Sequence, residues 1–177
     1  MKLILIIFFT STIVFTKLSF SQTIAVVNIE KLIDNNSNYI HTINNIEISQ
    51  KNFLDTFKIK ENELQSILIY IEESKLILSE TELNNQIENY NNQLNDFKIL
   101  LDAFNYHYQN EIILIREKVL EEIFVILEKY AIDNQVDLIL NSTSYLIALN
   151  SIDITKNIEE ELNEKNFILE YKDFEQN

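Results

Sequence analysis

The chain has 177 residues and a formal net charge of −14, with no cysteine, glycine, proline or tryptophan. Lacking cysteine, it has no disulfide framework, no thiolate metal site and no lipid-modified N-terminal cysteine. Lacking glycine, it has no phosphate-cradling loop of the usual Walker or dinucleotide type. So acidic a chain is repelled by nucleic acid and by anionic membrane, which argues against both as ligands.

The length suggests one domain. Alanine is scarce and Arg116 is the single arginine, while Ile, Asn, Lys and aromatic residues abound, a bias expected of a genome poor in G and C. With the usual turn punctuation missing, Asn and Ser must serve in its place, Asn being the next most tolerant of left-handed backbone.

In chain order, residues 1–21 read as a secretory signal peptide. Lys2 supplies the positive start, Leu3 to Thr16 the apolar run, and Ser19-Phe20-Ser21 a small-x-small cleavage site before Gln22. The run is shorter than the ~20 residues a membrane-spanning helix needs, and Lys17 closes it, so an uncleaved anchor is the weaker alternative. The mature chain would then be exported and soluble.

Thr23 to Asn28 is a short β-rich run fit for a buried strand, and Glu30 to Asn35 allows one or two helical turns. Ser37 is the expected cap of a long helix running to about Leu78. Its apolar track passes through Tyr39, Ile43, Ile46, Phe53, Phe57, Leu64, Ile67, Ile71 and Leu78, interrupted by Gln50, Lys60 and Ser74. Ser79-Glu80-Thr81-Glu82 is a capping-box pattern marking a second helix start. From Glu80 to Ile132 a second track runs through Ile87, Tyr90, Leu94, Phe97, Leu101, Phe104, Tyr108, Ile112, Ile115, Val119, Ile123, Ile126 and Tyr130. A repeat near 3.5 residues keeps one stripe of each helix facing the other, which predicts an antiparallel coiled-coil hairpin over 37–130.

Val136 to Leu140 and Tyr145 to Asn150 read as two more strands joined by the turn cluster Asn141-Ser-Thr-Ser144, hence a β-hairpin. Ile154, Ile158 and Leu162 predict a helix to about Lys165, capped by Asp153 or Thr155. Residues 167–177 form a mixed tail, expected to be mobile.

The fold class expected is therefore α+β, mainly α: a long hairpin projecting from a small β-rich body made by residues 22–36 and 131–166. Three short strands and a helix make a marginal core for one chain. The body should therefore complete itself by oligomerisation through Ile24, Val26, Val27, Val136, Leu138, Leu140, Leu146 and Ala148.

Some apolar positions on the two long helices are not consumed by the seams. At about 100° per residue, Ile69 and Leu76 fall opposite the first seam, with Tyr70 and Ile77 beside them. Ile99, Tyr106 and Ile113 sit away from the second. These seven are the candidate contacts for a bound polypeptide; the competing reading is that they pack on another arm or merely reflect the isoleucine-rich composition.

No catalytic, metal or cofactor site is expected. His41 and His107 lack carboxylate–histidine ligand spacing and read as solvated or seam-edge residues. Glu121-Glu122 and Glu159-Glu160-Glu161 are helix-surface neighbours that point apart and cannot form an acid/base pair. Asn141-Ser-Thr143 fits a glycosylation sequon but is more simply a turn.

The order of elements, with Ile24-Ala-Val-Val-Asn28, Val136-Asp-Leu-Ile-Leu140, Tyr145 to Leu149, Asp153-Ile-Thr155 and Ile158-Glu-Glu-Glu-Leu-Asn163, resembles the Skp/OmpH family of periplasmic chaperones across residues 23–163. The resemblance implies a homotrimer with three helical arms around a cavity, holding unfolded outer-membrane proteins in the periplasm without ATP. The family's proposed lipopolysaccharide contacts use clustered Lys and Arg on the arms. This acidic chain lacks them, which argues against lipopolysaccharide binding and weakens charge attraction to clients. The alternative function is a structural coiled-coil tether or scaffold of the cell envelope.

Overall fold

The computed structural model describes residues 22–175. The signal-peptide and cleavage-site readings fall on residues 1–21, outside that range.

Strand β1 (Ile24–Val27) leads into the short helix α1 (Ile29–Asp34). The long helices α2 (Ser37–Ser74) and α3 (Glu80–Asp133) follow, then strand β2 (Leu138–Asn141) and helix α4 (Thr155–Glu164). At ~1.5 Å rise per residue, α2 and α3 are roughly 57 and 80 Å long. Neither helix interior contains a breaker, since the chain has no glycine or proline.

The hairpin turns at Lys75–Ser79, where Ile77 and Leu78 N–H both donate to the Ser74 carbonyl at 3.0 Å. The capping box forms as the sequence predicts. Glu82 N–H donates to Ser79 Oγ (3.3 Å) while the Ser79 N–H returns to Glu82 Oε2 (3.0 Å). The Ser79 hydroxyl, then its backbone N–H, hold the Glu82 carboxyl below its ordinary pKa. At the start of α2 the cap is Asn36 rather than Ser37: its Oδ1 accepts from Tyr39 N–H at 2.9 Å.

The buried seam of the hairpin follows both sequence tracks, through Ile46, Phe57, Leu64 and Ile71 on α2 and Phe97, Phe104, Tyr108 and Ile115 on α3. Beyond Ile115 the same stripe of α3 passes into the body. There Val119, Ile123, Ile126 and Leu127 pack with Ala25, Val27, Leu32, Ile33, Ile154, Ile158 and Leu162. Three ion pairs tie outer elements to α3: Arg116 with Glu30, Lys129 with Glu161, and Lys165 with Glu122.

The sheet departs from expectation. β1 and β2 pair in parallel, Ile24 opposite Leu138 and Val27 opposite Asn141. Parallel neighbours need a crossover connection, and here the entire α1–α2–α3 excursion serves as one. The expected β-hairpin and third strand are absent among the described residues. Asn141 Oδ1 accepts from Ser142 N–H (2.8 Å) and Ile29 N–H (3.3 Å), turning the chain into a 3₁₀ turn at Ser142–Ser144. Tyr145 and Leu149 keep extended backbone but find no partner strand. The other edge of β1 is taken by Asp153, which bridges Val26, while Ile154 N–H donates to the Val26 carbonyl at 2.9 Å.

α3 closes with a Schellman arrangement. Val136 N–H reaches the Ala131 carbonyl (2.9 Å) and Gln135 N–H the Ile132 carbonyl (3.4 Å). Gln135 occupies the left-handed position at φ 53°, where glycine would be usual. At the start of α4, Asp153 Oδ1 accepts from both the N–H and the hydroxyl of Thr155, at 2.9 and 2.6 Å.

From Asn166 to Glu175 the chain is extended and lies against the hairpin. Phe167 and Leu169 join the body core, and Leu169, Tyr171 and Phe174 pack on the seam cluster.

Candidate functional site

Because seam residues face one another, whatever apolar side chains lie elsewhere on the arms meet solvent. All seven arm positions predicted from periodicity lie on the surface, from half-exposed Ile69 and Tyr70 to Leu76 at 98% and Tyr106 at 73%. They fall into two groups. Ile69, Tyr70, Leu76 and Ile77 crowd the tip end of α2 and the turn after it, whereas Ile99, Tyr106 and Ile113 recur every seven residues along α3. Ile48, Leu54, Ile59 and Leu68 on α2 and Leu114 on α3, not among the seven, are also exposed.

Midway along the arm a charged residue borders the seam. Lys60, one of the polar interruptions, donates to Glu63 Oε2 (3.2 Å) and Gln93 Oε1 (3.3 Å). Beside it lies a cleft of about 370 Å³ between the helices, walled by Phe57, Ile59, Phe97 and Leu100. The Lys60 stem lies along the cleft while its charged head stays partly in water.

The eight body residues divide. Val26 and Val27 are consumed in the chain's own interior, and Val136 packs on the body core. Leu140 and Ala148 are half-buried. Ile24, Leu138 and Leu146 are exposed, and Ile147, Leu149, Phe124, Val125 and Ile132 join them as exposed apolar residues of the same end. The signals that mark these last five are the unbroken apolar run Tyr145–Leu149 and the angular position of 124, 125 and 132 away from the α3 seam.

Among the described residues no cluster of three or more His, Asp or Glu could hold a metal ion, and no helix is long and apolar enough to cross a membrane. Arg116 is engaged by Glu30, whose hydrogen bond raises the guanidinium pKa further.

The sequence of residues 23–162 matches the family of OmpH-like outer membrane proteins. This chain belongs to the OmpH-like family. Its fold is similar to that of a candidate OmpH-like outer membrane chaperone from Caulobacter crescentus CB15 whose crystal structure is known. The TM-score is 0.71 at 10% identity, covering 86% of this chain and 93% of that one. No curated protein matches the sequence significantly. The OmpH-like match ends just before the end of α4, so the tail that lies along the hairpin is outside it.

Proposed function

We propose that this OmpH-like protein is an ATP-independent holdase of the periplasm that keeps unfolded outer-membrane proteins from aggregating, gripping them in a cavity between the helical arms of a homotrimer. The observation that carries this reading is apolar surface left over after the hairpin seam is filled. Ile69, Tyr70, Leu76, Ile77, Ile99, Tyr106 and Ile113 are all exposed on arms whose cores are already packed. An apolar surface of this kind usually has a partner, and an unfolded barrel protein, rich in alternating apolar residues, supplies one.

Family membership and the fold of the Caulobacter protein support the same reading. The exposed apolar residues of the body, Ile24, Leu138, Leu146, Ile147 and Leu149, support self-association at that end. A tether of the envelope would need neither surface.

The test dilutes a urea-unfolded β-barrel protein into nucleotide-free buffer with the mature chain. The wild type should suppress aggregation. A variant with Ile69, Tyr70, Leu76 and Ile77 changed to Ser or Gln should lose most of that suppression, with helix content and light-scattering mass unchanged. Equal suppression by both proteins would refute the assignment of these residues, and none by either would refute the holdase.

A further inference from the structure

The tail from Phe167 to Phe174 is held as a strand edge would hold it, although no strand is there. Its exposure alternates: Phe167, Leu169 and Tyr171 turn inward while Ile168, Glu170 and Lys172 turn outward. The period of two is that of extended chain. Helix side chains read its backbone. Glu111 Oε2 accepts the Lys172 N–H at 2.9 Å, and His107 Nε2 donates to the Lys172 carbonyl at 2.8 Å. Asn38 Nδ2 donates to the Phe167 carbonyl at 3.3 Å.

His107 and Glu111 stand four residues apart on one face of α3, so both polar groups of a single residue are satisfied from one helix turn. Main-chain contacts of this kind carry no side-chain preference, as in strand addition to an open sheet edge. Selectivity comes from the apolar sockets beside them. The Phe174 ring lies edge-on to Phe53 and Phe104 at 5.6 and 5.5 Å, and the Tyr171 hydroxyl meets Ser49 Oγ at 3.0 Å. Glu111 is only 8% exposed, and a buried carboxylate requires a donor. Were the tail to leave, water or another N–H would take the place of the Lys172 N–H on Glu111.

We propose that this groove is a site for extended polypeptide with apolar residues at alternate positions, and that the chain's own tail occupies it until a client segment displaces it. The client half of this statement rests on the holdase reading above. Outer-membrane strands alternate apolar and polar residues over about ten positions, and the tail shows a shorter stretch of the same alternation, inward and outward from Phe167 to Lys172. Because the tail is tethered, its effective concentration is on the order of millimolar. It therefore acts as a threshold that only long or multiply contacting segments overcome.

The probe is a fluorescent synthetic peptide of residues 165–177, added to the full mature protein and to a full-length Tyr171→Ser/Phe174→Ser variant whose tail is loosened. The loosened protein should bind the peptide at least about tenfold more tightly than wild type, and an unfolded β-barrel protein should displace it. Adding His107→Ala, a half-exposed position, or Glu111→Ala should each remove most of that gain.

Failure of the loosened protein to bind the peptide at millimolar concentration would overturn the site. Peptide binding that the unfolded barrel protein cannot displace, with aggregation still suppressed equally by both proteins, would overturn the competition. Loss of aggregation suppression by both proteins would instead mark failure of the holdase reading.

Discussion

Replacing Phe104 by alanine should unclasp the middle of the arm. The ring is 3% exposed and sits at the centre of an aromatic cluster, with centroids 4.9 Å from Phe57, 5.8 Å from Phe53, 5.1 Å from Tyr108 and 5.5 Å from Phe174. It therefore joins α2, α3 and the tail at one point. Truncating a buried phenylalanine costs about 3–5 kcal/mol, more where the site cannot collapse. Two rigid helices and three facing rings leave little room to collapse, so about 4 kcal/mol is expected.

At roughly 2–4 °C per kcal/mol for a chain of this size, Tm should fall by about 8–16 °C. Phe104→Leu keeps most of the volume and should cost about 1.5 kcal/mol. Ile48→Ala, at a position 59% exposed on α2, should stay within about 0.5 kcal/mol. The assay is urea unfolding followed by the helical circular-dichroism signal at a fixed protomer concentration, since assembly would couple to stability. A Phe104→Ala midpoint within about 1 kcal/mol of wild type, with an unchanged urea slope, would refute the idea that this ring holds the arm together.

Two further outcomes follow from local geometry. Gln135→Gly should stabilise the protein, because relief of a left-handed conformation worth roughly 1–2 kcal/mol exceeds the extra backbone entropy of glycine. A gain of about 0.5–1 kcal/mol in urea unfolding is expected, and a loss would contradict the cap. Tyr108 should give the folded protein an alkaline limit. Burial is the largest influence on its phenol and raises its pKa above the ordinary value of 10. The folded state therefore favours the neutral phenol, and its contribution is complete below pH 10 and is lost as pH rises toward the folded pKa, because the unfolded chain ionises first. Tyr108→Phe should flatten the decline of stability measured from pH 9 to 11; an unchanged slope would remove Tyr108 as its source.

Much of the architecture is legible in the order of the residues. The seam residues Phe57, Leu64, Phe97, Phe104 and Ile115 stand out because a period near 3.5 persists over many turns, and Ser79 and Glu82 announce their cap by spacing alone. The candidate arm surface, Ile69 to Ile77 and Ile99 to Ile113, can be named from the same periodicity, since exposure on a helix is an angle. The cap at Asn36 and the left-handed Gln135 are not visible in this way. In a chain without glycine, Asn and Gln carry duties that composition does not mark. His107 reads as a solvated or seam-edge residue and Glu111 draws no notice in the sequence, because their partner, the Lys172 backbone, lies more than sixty positions away.

What the sequence by itself determined is the local periodic order: two long helices, their facing stripes, the tip between them and a short helix near the end. What only the tertiary structure decided is how the non-helical segments pair. Tyr145 to Leu149 is an apolar run fit for a strand, yet stays unpaired, and Asp153 bridges the other edge of β1. Phe167 to Lys172 alternates in its exposure, and with Phe174 it finds a groove. A helix satisfies its backbone within itself, so its residues suffice to predict it; an extended segment must borrow its hydrogen bonds from elsewhere, and only the folded chain says from where.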